Sequence, residues 1–256
     1  MRNVIAVINE KGGVGKSSIC YNVAWHFAET GKKVLMADLD GQRANLTFIA
    51  GIDKPDGTPT LYDVLANGLP VKKTVLVVED NLHIIPATND VVALDRSNSR
   101  LEDMQAAIGE LAPYYDYIFI DVSPTPNRGH ALALAASTGV IIPMLPDVTS
   151  LEANMGVVES VRLTRQTVNP GLKVLGIVFN KYSPRTLLSY QVTEKAEQMA
   201  KALGSQVFET KIRQSVTLAE TVGRHMGVTE YSPKSKCAED IKQLCKEIEE
   251  EINHGR

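Results

Sequence analysis

The chain has 256 residues, 44% of them hydrophobic and 5% aromatic, with a formal net charge of -3. That length suits one large α/β domain or two small ones, with a core filled mainly by Ala, Val, Ile and Leu. The net charge does not by itself indicate a nucleic-acid binder. Charge is unevenly spread, however: residues 160–236 carry 12 Lys/Arg against 5 Asp/Glu, a balance of +7 that leaves -10 for the remainder. Three cysteines, Cys20, Cys237 and Cys245, have no metal-ligand spacing and cannot all pair, which fits a reducing cytosol. No apolar run approaches the roughly 20 residues of a membrane span, and the chain starts directly in the strand-like run VIAVI. A soluble cytoplasmic protein without a signal peptide is expected.

Short β-branched runs alternate with longer helical stretches. Val4–Ile8 predicts a strand, Ser17–Thr30 a helix stopped by Gly31, and Val34–Ala37 a strand ending at Asp38. After a Gly/Pro-rich loop (Gly51–Pro59), Thr60–Ala66 predicts a short helix, Leu82–Pro86 a strand and Ser97–Leu111 a helix. Tyr117–Asp121 and Val140–Pro143 predict strands with a short helix between them. Ser150–Val168 then predicts a helix, Val174–Asn180 a strand, Thr186–Leu203 a helix and Val207–Glu209 a short strand. Ser235–Ile252 closes the chain as a charged helix. This alternation implies βαβ units: a mostly parallel sheet flanked by helices on both faces, in one domain spanning residues 1–256. Ligands of such sheets bind at the carboxyl ends of the strands.

Three motifs fall there. In INEKGGVGKSS, Gly12, Gly13 and Gly15 let backbone N–H groups of a strand–helix turn face phosphate oxygens. Val14, Lys16, Ser17 and Ser18 complete the loop: Lys16 would reach the β/γ-phosphates and the Ser17 hydroxyl would ligate Mg²⁺. The general pattern wants a glycine where this chain has Glu10, and an extra lysine, Lys11, follows. The run YDYIFIDVSP ends a strand in Asp121, a Walker B signature that would hold the metal, in part through water. In VLMADLDGQ, Asp38 and Asp40 sit at the mouth of the second strand. Asp40 is the candidate that orients the attacking water, with Asp38 supporting the metal and water network.

Together these motifs resemble the ParA/MinD family of deviant-Walker-A ATPases over nearly the whole chain, and among them the short ParA/Soj-like type. K-G-G-V-G-K-S, D-L-D-G-Q and DYIFIDVSP carry the resemblance specifically. IIPMLPDVTSLEAN and IRQSVTLAETVGRHMGVTEYSPKS carry it more softly. The resemblance implies a P-loop NTPase fold and a Mg²⁺-dependent ATPase whose ATP-bound subunits pack face to face. Lys11 of one subunit would then contact phosphates bound by the other. It further implies nonspecific DNA binding by the ATP dimer, nucleoid association, and hydrolysis stimulated by a ParB-like partner. The alternative is a MinD-like or cargo-positioning ATPase or scaffold. The acidic tail, CAEDIKQLCKEIEEEINHGR, differs from the basic amphipathic helix of MinD-like proteins, so no membrane binding is expected. No helix-turn-helix is expected before the P-loop.

Arg185 aligns with a DNA-contacting arginine of the family, whereas Thr217 stands where a second arginine is common; Arg213, Lys211 or Arg224 would compensate. Asn180-Lys181 resembles the start of the guanine-binding N-K-x-D, but position 183 is serine, so adenine is favoured. Asn180, Pro146 and Asp147 would be its neighbours. The family's D-x-P-P is here Asp121-Val122-Ser123-Pro124, a departure expected to have little effect. The five histidines show no metal-binding spacing.

Overall fold

The computed structural model describes residues 3–42, 45–52, 57–183 and 187–254. Its strands are β1 (Asn3–Val7), β2 (Val34–Leu39), β3 (Leu76–Glu79), β4 (Leu82–Ile85), β5 (Tyr117–Val122), β6 (Gly139–Met144) and β7 (Lys173–Phe179). They form one seven-stranded sheet in the order β3-β4-β2-β5-β1-β6-β7. All neighbours run parallel except the edge pair β3–β4.

The α-helices are α1 (Lys16–Glu29), α2 (Leu46–Ile49), α3 (Leu61–Asn67), α4 (Leu101–Leu111), α5 (Arg128–Ala136) and α6 (Val148–Thr167). They continue as α7 (Leu187–Ala202), α8 (Val216–Arg224), α9 (Val228–Tyr231) and α10 (Lys236–His254). Alternation along each strand sends its side chains to two different cores. Ile5, Val7, Met36 and Phe119 join α1 and α10 on one face. Val4, Ala6, Leu35, Ala37, Ile118 and Ile120 join the helices after β2 and β5 on the other. Strands β6 and β7 add a third cluster with α6 and α7. Because the central strands are buried on both faces, they read in the sequence as nearly unbroken apolar runs.

Several expectations are corrected. Val207–Glu209 is no strand: Val207 makes only an isolated bridge to Ile177. The edge strand β3 and the short helices α2, α8 and α9 were not expected. Leu76–Glu79 has only four residues of alternating burial, too few for a periodic signal. The terminal helix α10 is acidic outside, yet its apolar side (Cys237, Ala238, Ile241, Leu244, Cys245 and Ile248) is buried in the core that contains α1. All three cysteines are buried free thiols. No helix among the described residues is long and apolar enough to cross a membrane.

Candidate functional site

The site grows from the carboxyl ends of β1, β2 and β5, which are neighbours in the sheet. After β1 the chain turns through Gly13 (φ +74°) and Gly15 (φ +91°) into α1. At Gly15 a side chain is excluded twice, by the left-handed backbone and by Asn180, whose Nδ2 would lie 2.1 Å from an added Cβ. No side chain caps α1. Its first-turn N–H groups therefore face the glycine loop as a ready anion site.

Beneath this loop lie Lys16 and Asp121. Lys16 is 6% exposed and its Nζ donates to the Lys11 carbonyl at 3.3 Å. Burial lowers its pKa, while the charges of Asp121 and Asp40 oppose that shift. Asp121 is fully buried, and neither carboxylate oxygen has a hydrogen-bond partner. The Ser17 hydroxyl is close enough to lower its pKa without completing a well-formed hydrogen bond. Burial first, and then the charge of Asp38, nevertheless push the carboxyl well above its ordinary range. Asp38 pairs in register with Asp121 across β2 and β5. Two buried carboxyl groups side by side, neither oxygen of Asp121 holding a well-formed hydrogen bond, form a site where the ionised state is unfavourable without a bound cation. A hard cation bound by Asp121 and the Ser17 hydroxyl fits this donor set.

Asp38 is occupied differently. Its Oδ1 accepts the Asp40 N–H at 2.9 Å, and its Oδ2 accepts the Thr47 N–H at 2.8 Å and the Thr47 hydroxyl at 2.5 Å. Burial raises its pKa to about 6 against these hydrogen bonds. Asp38 thus ties the end of β2 to α2 and fixes the turn that carries Asp40, which is 7% exposed and accepts the Gln42 N–H at 3.0 Å. The Asn45 amide closes the same turn by donating to the Asp40 carbonyl at 2.5 Å.

The Lys11 side chain is held by its own chain. Its Nζ donates to both oxygens of Asp147 at 2.8 Å, to the Thr149 hydroxyl at 2.6 Å and to the Ser150 hydroxyl at 3.2 Å. Asp147 also caps α6, accepting the Ser150 N–H at 2.7 Å. Burial pushes the Asp147 carboxyl up, but hydrogen bonds led by that from Lys11 hold it at about 2. Asn9 braces the arrangement: its Oδ1 accepts the Lys11 N–H at 2.7 Å, and its Nδ2 donates to the Pro143 carbonyl and to Asn154 on α6. Pro146 adjoins this cluster in the sequence. Asn180 donates to the Val14 carbonyl at 2.8 Å, and Lys181 (φ +52°) donates to the Gly13 carbonyl at 3.2 Å. Both thus buttress the phosphate loop. Glu10 packs against Gly156 of α6, where an added Cβ would lie 1.9 Å from its carboxylate.

A family model described as an AAA domain matches residues 2–174. The chromosome-partitioning ATPase Soj of Thermus thermophilus is 34% identical over 246 residues, covering 95% of this chain and 94% of the relative. The sporulation initiation inhibitor protein Soj of Bacillus subtilis is 32% identical over 253 residues, covering 97% and 98%. The chain belongs to the ParA/Soj family of P-loop ATPases. Its fold also matches the solved cell division ATPase MinD of Pyrococcus furiosus, with a TM-score of 0.79, 25% identity and coverage of 98% and 99%. This ParA-type chain is therefore an ATP hydrolase.

The structure thus brings Gly12–Ser18, Asp38, Asp40, Asp121 and Asn180 to one end of the sheet. The basic residues of the last third are not gathered in the same way. Arg185 lies outside the described residues. The Arg213 guanidinium donates to both oxygens of Asp240, at 2.6 and 2.7 Å, so its charge is already shared. The Lys211 ammonium sits 4.7 Å from the centroid of the Tyr182 ring. Arg224 is exposed in the last turn of α8. Sequence reasoning missed Asn9, Thr47, Asn154 and Lys181 as supports of the site. Their partners, Lys181 to Gly13 among them, lie mostly far away in the chain, where no local motif marks them.

Proposed function

We propose that this ATPase is a Mg²⁺-dependent dimerisation switch that binds DNA without sequence preference and partitions DNA cargo. Lys16 and the Gly12–Gly15 backbone bind the phosphates, and Ser17 and Asp121 hold the ion. Magnesium bound there would neutralise charge on the β/γ-phosphates. Asp40, on a turn fixed by Asp38 and Asn45, orients the attacking water, and hydrolysis proceeds without a covalent intermediate. Pro146 and the backbone around Asp147 flank the adenine, with Asn180 beneath the loop.

One observation carries the switch. Lys11 is not committed to its own phosphate loop but held at the head of α6 by Asp147, an arrangement that has to open before Lys11 can serve another subunit. If a partner's nucleotide takes up that lysine, ATP binding and dimerisation are coupled. The ATP dimer then binds DNA through Arg185, Lys211 and Arg224, while Arg213 contributes little as long as it is paired with Asp240. A ParB-like adaptor on the cargo stimulates hydrolysis and frees the dimer. The MinD-like alternative is disfavoured because the apolar side of α10 is already spent on the core.

The deciding experiment measures DNA binding with ATP, with ADP and without nucleotide, across a salt series, for the wild type, Lys11→Ala and Arg185→Ala. Binding should need ATP, weaken steeply with salt and fall in both variants. Equal binding without nucleotide would refute the switch, and ATP-dependent vesicle binding with no DNA binding would favour the membrane reading.

A further inference from the structure

Position 123 is where the family resemblance leads one to expect a second proline beside Pro124, and this chain has serine. A proline would restrict the backbone there by its ring. Here hydrogen bonds restrict it instead. The Ser123 carbonyl accepts from His130 Nε2 at 2.6 Å. The Ser123 hydroxyl accepts from Asn127 Nδ2 at 3.1 Å and donates to the Thr125 carbonyl at 3.3 Å. Asn127 in turn caps α5 by accepting the His130 N–H at 3.3 Å.

His130 is 4% exposed, and its Nδ1 has no hydrogen-bond partner. Since the Nε2 partner is a carbonyl, the ring proton is on Nε2 and Nδ1 is a bare buried acceptor. Burial lowers its pKa, the bond to Ser123 opposes this, and the Lys16 charge adds to the lowering, so the ring stays neutral. A buried acceptor without a partner is unfavourable, and an aliphatic side chain would fill the same space without that penalty. What an aliphatic residue would not supply is the bond to the loop that starts two residues after Asp121.

We propose that His130 is a positioning residue for ATP hydrolysis. Through the Ser123 carbonyl, with Asn127 holding the Ser123 hydroxyl, it fixes the backbone leaving β5. The Asp121 carboxylate thereby stays turned to the phosphate site with both oxygens open. This rests on the reading of Asp121 as a metal ligand and is independent of DNA binding and dimerisation.

The test uses wild type, His130→Ala, His130→Gln, Asn127→Ala and Asp121→Asn. It reads Mn²⁺ affinity by EPR with a non-hydrolysable ATP analogue, and kcat and KM for Mg-ATP by phosphate release. His130→Ala should lower Mn²⁺ affinity and kcat by about tenfold, the usual cost of losing a group behind a metal ligand. His130→Gln, whose amide can still donate to Ser123, should recover most of that loss. Asn127→Ala, which leaves the buried ring in place, should show a smaller loss in the same direction. Wild-type Mn²⁺ affinity and kcat in His130→Ala would overturn the proposal, as would equal impairment of the Ala and Gln variants. Unchanged Mn²⁺ affinity in Asp121→Asn would instead remove the metal reading on which it rests.

Discussion

The nucleotide end of the sheet and the basic last third of the chain differ in how their charges are held. At the nucleotide end, Lys16, Asp38 and Asp121 are buried, and β1, β2, β5 and α1 fix their positions. In the last third, Lys211, Arg213 and Arg224 sit at or near the surface on separate segments, and one of them is already paired. Buried charges are expensive, so they persist where something must be bound, and few residues can replace them. Surface cations contribute additively and weakly, so any one can move or be traded. Function at the first region therefore hangs on single atoms, whereas the DNA binding proposed for the second would hang on a sum.

The hardest test of that contrast is Asp121→Asn. Hydrolysis should fall by about 1,000-fold in a phosphate-release assay, because charge on the phosphates loses its counter-ion ligand. The same substitution should leave the nucleotide-free protein at least as stable in thermal melting, since it removes a buried carboxylate with no partner. Lost activity together with lost stability would show that Asp121 is a structural residue.

Next in size is Lys11. Lys11→Ala should lower dimer-dependent turnover by about 100-fold, the scale of losing one charge-stabilising group. ATP affinity of the monomer should be nearly unchanged. Asp147→Ala acts oppositely on the same contact: it frees Lys11, so the ATP-dependent dimer in light scattering should form at a severalfold lower protein concentration. Because the Asp147 side chain is 38% exposed, the pair itself contributes at most about 1 kcal/mol to stability. A dimer unaffected by either change would place Lys11 outside the switch.

The glycine turn into α1 and the place of Asp121 at the end of a buried strand are legible in the sequence, because glycines, Lys16-Ser17 and an apolar run ending in aspartate are local patterns with a mechanical reason. Asp40 and Asp38 are visible as candidates, but the sequence does not reveal that both oxygens of Asp38 accept hydrogen bonds, from the Asp40 N–H and from the N–H and hydroxyl of Thr47. That role is invisible without knowing where Thr47 folds. The Lys11–Asp147 contact spans 136 residues, and no local rule predicts it. In the last third the sequence showed a surplus of positive charge but not its pairing, because Arg213 and Asp240 lie on segments brought together only by the packing of α10 on the core.

A smaller effect follows from pH. Asp38 has a folded pKa of about 6 against an ordinary 3.8, so between these values the folded state holds a proton that the unfolded chain has released. Stability from this group is full below pH 3.8 and is lost as pH rises to about 6. Asp121 acts in the same direction, its pKa raised by burial and by Asp38. Urea midpoints of the nucleotide-free protein should therefore drop across this window, and less steeply in Asp121→Asn. Thr47→Val removes a hydrogen bond that favours the ionised Asp38, so the drop should extend to higher pH. A flat profile would mean that Asp38 is ionised throughout.

The smallest effect probes the additive region. Arg213 is bound to Asp240 through two guanidinium nitrogens, and its own N–H also reaches Asp240 at 3.2 Å. If the last third binds DNA as a sum of surface cations, Arg213 contributes little while it is so paired. Arg213→Ala should then barely change DNA affinity, whereas Lys211→Ala should reduce the slope of log affinity against log salt by about 1. Asp240→Asn keeps the shape of the side chain but releases the guanidinium, so affinity should rise severalfold and the salt slope should steepen by about 1. A large loss on Arg213→Ala would reverse the contrast drawn above. It would mean that DNA displaces Asp240, making the pair a second contact that has to open, as is proposed for Lys11 and Asp147 at the other end.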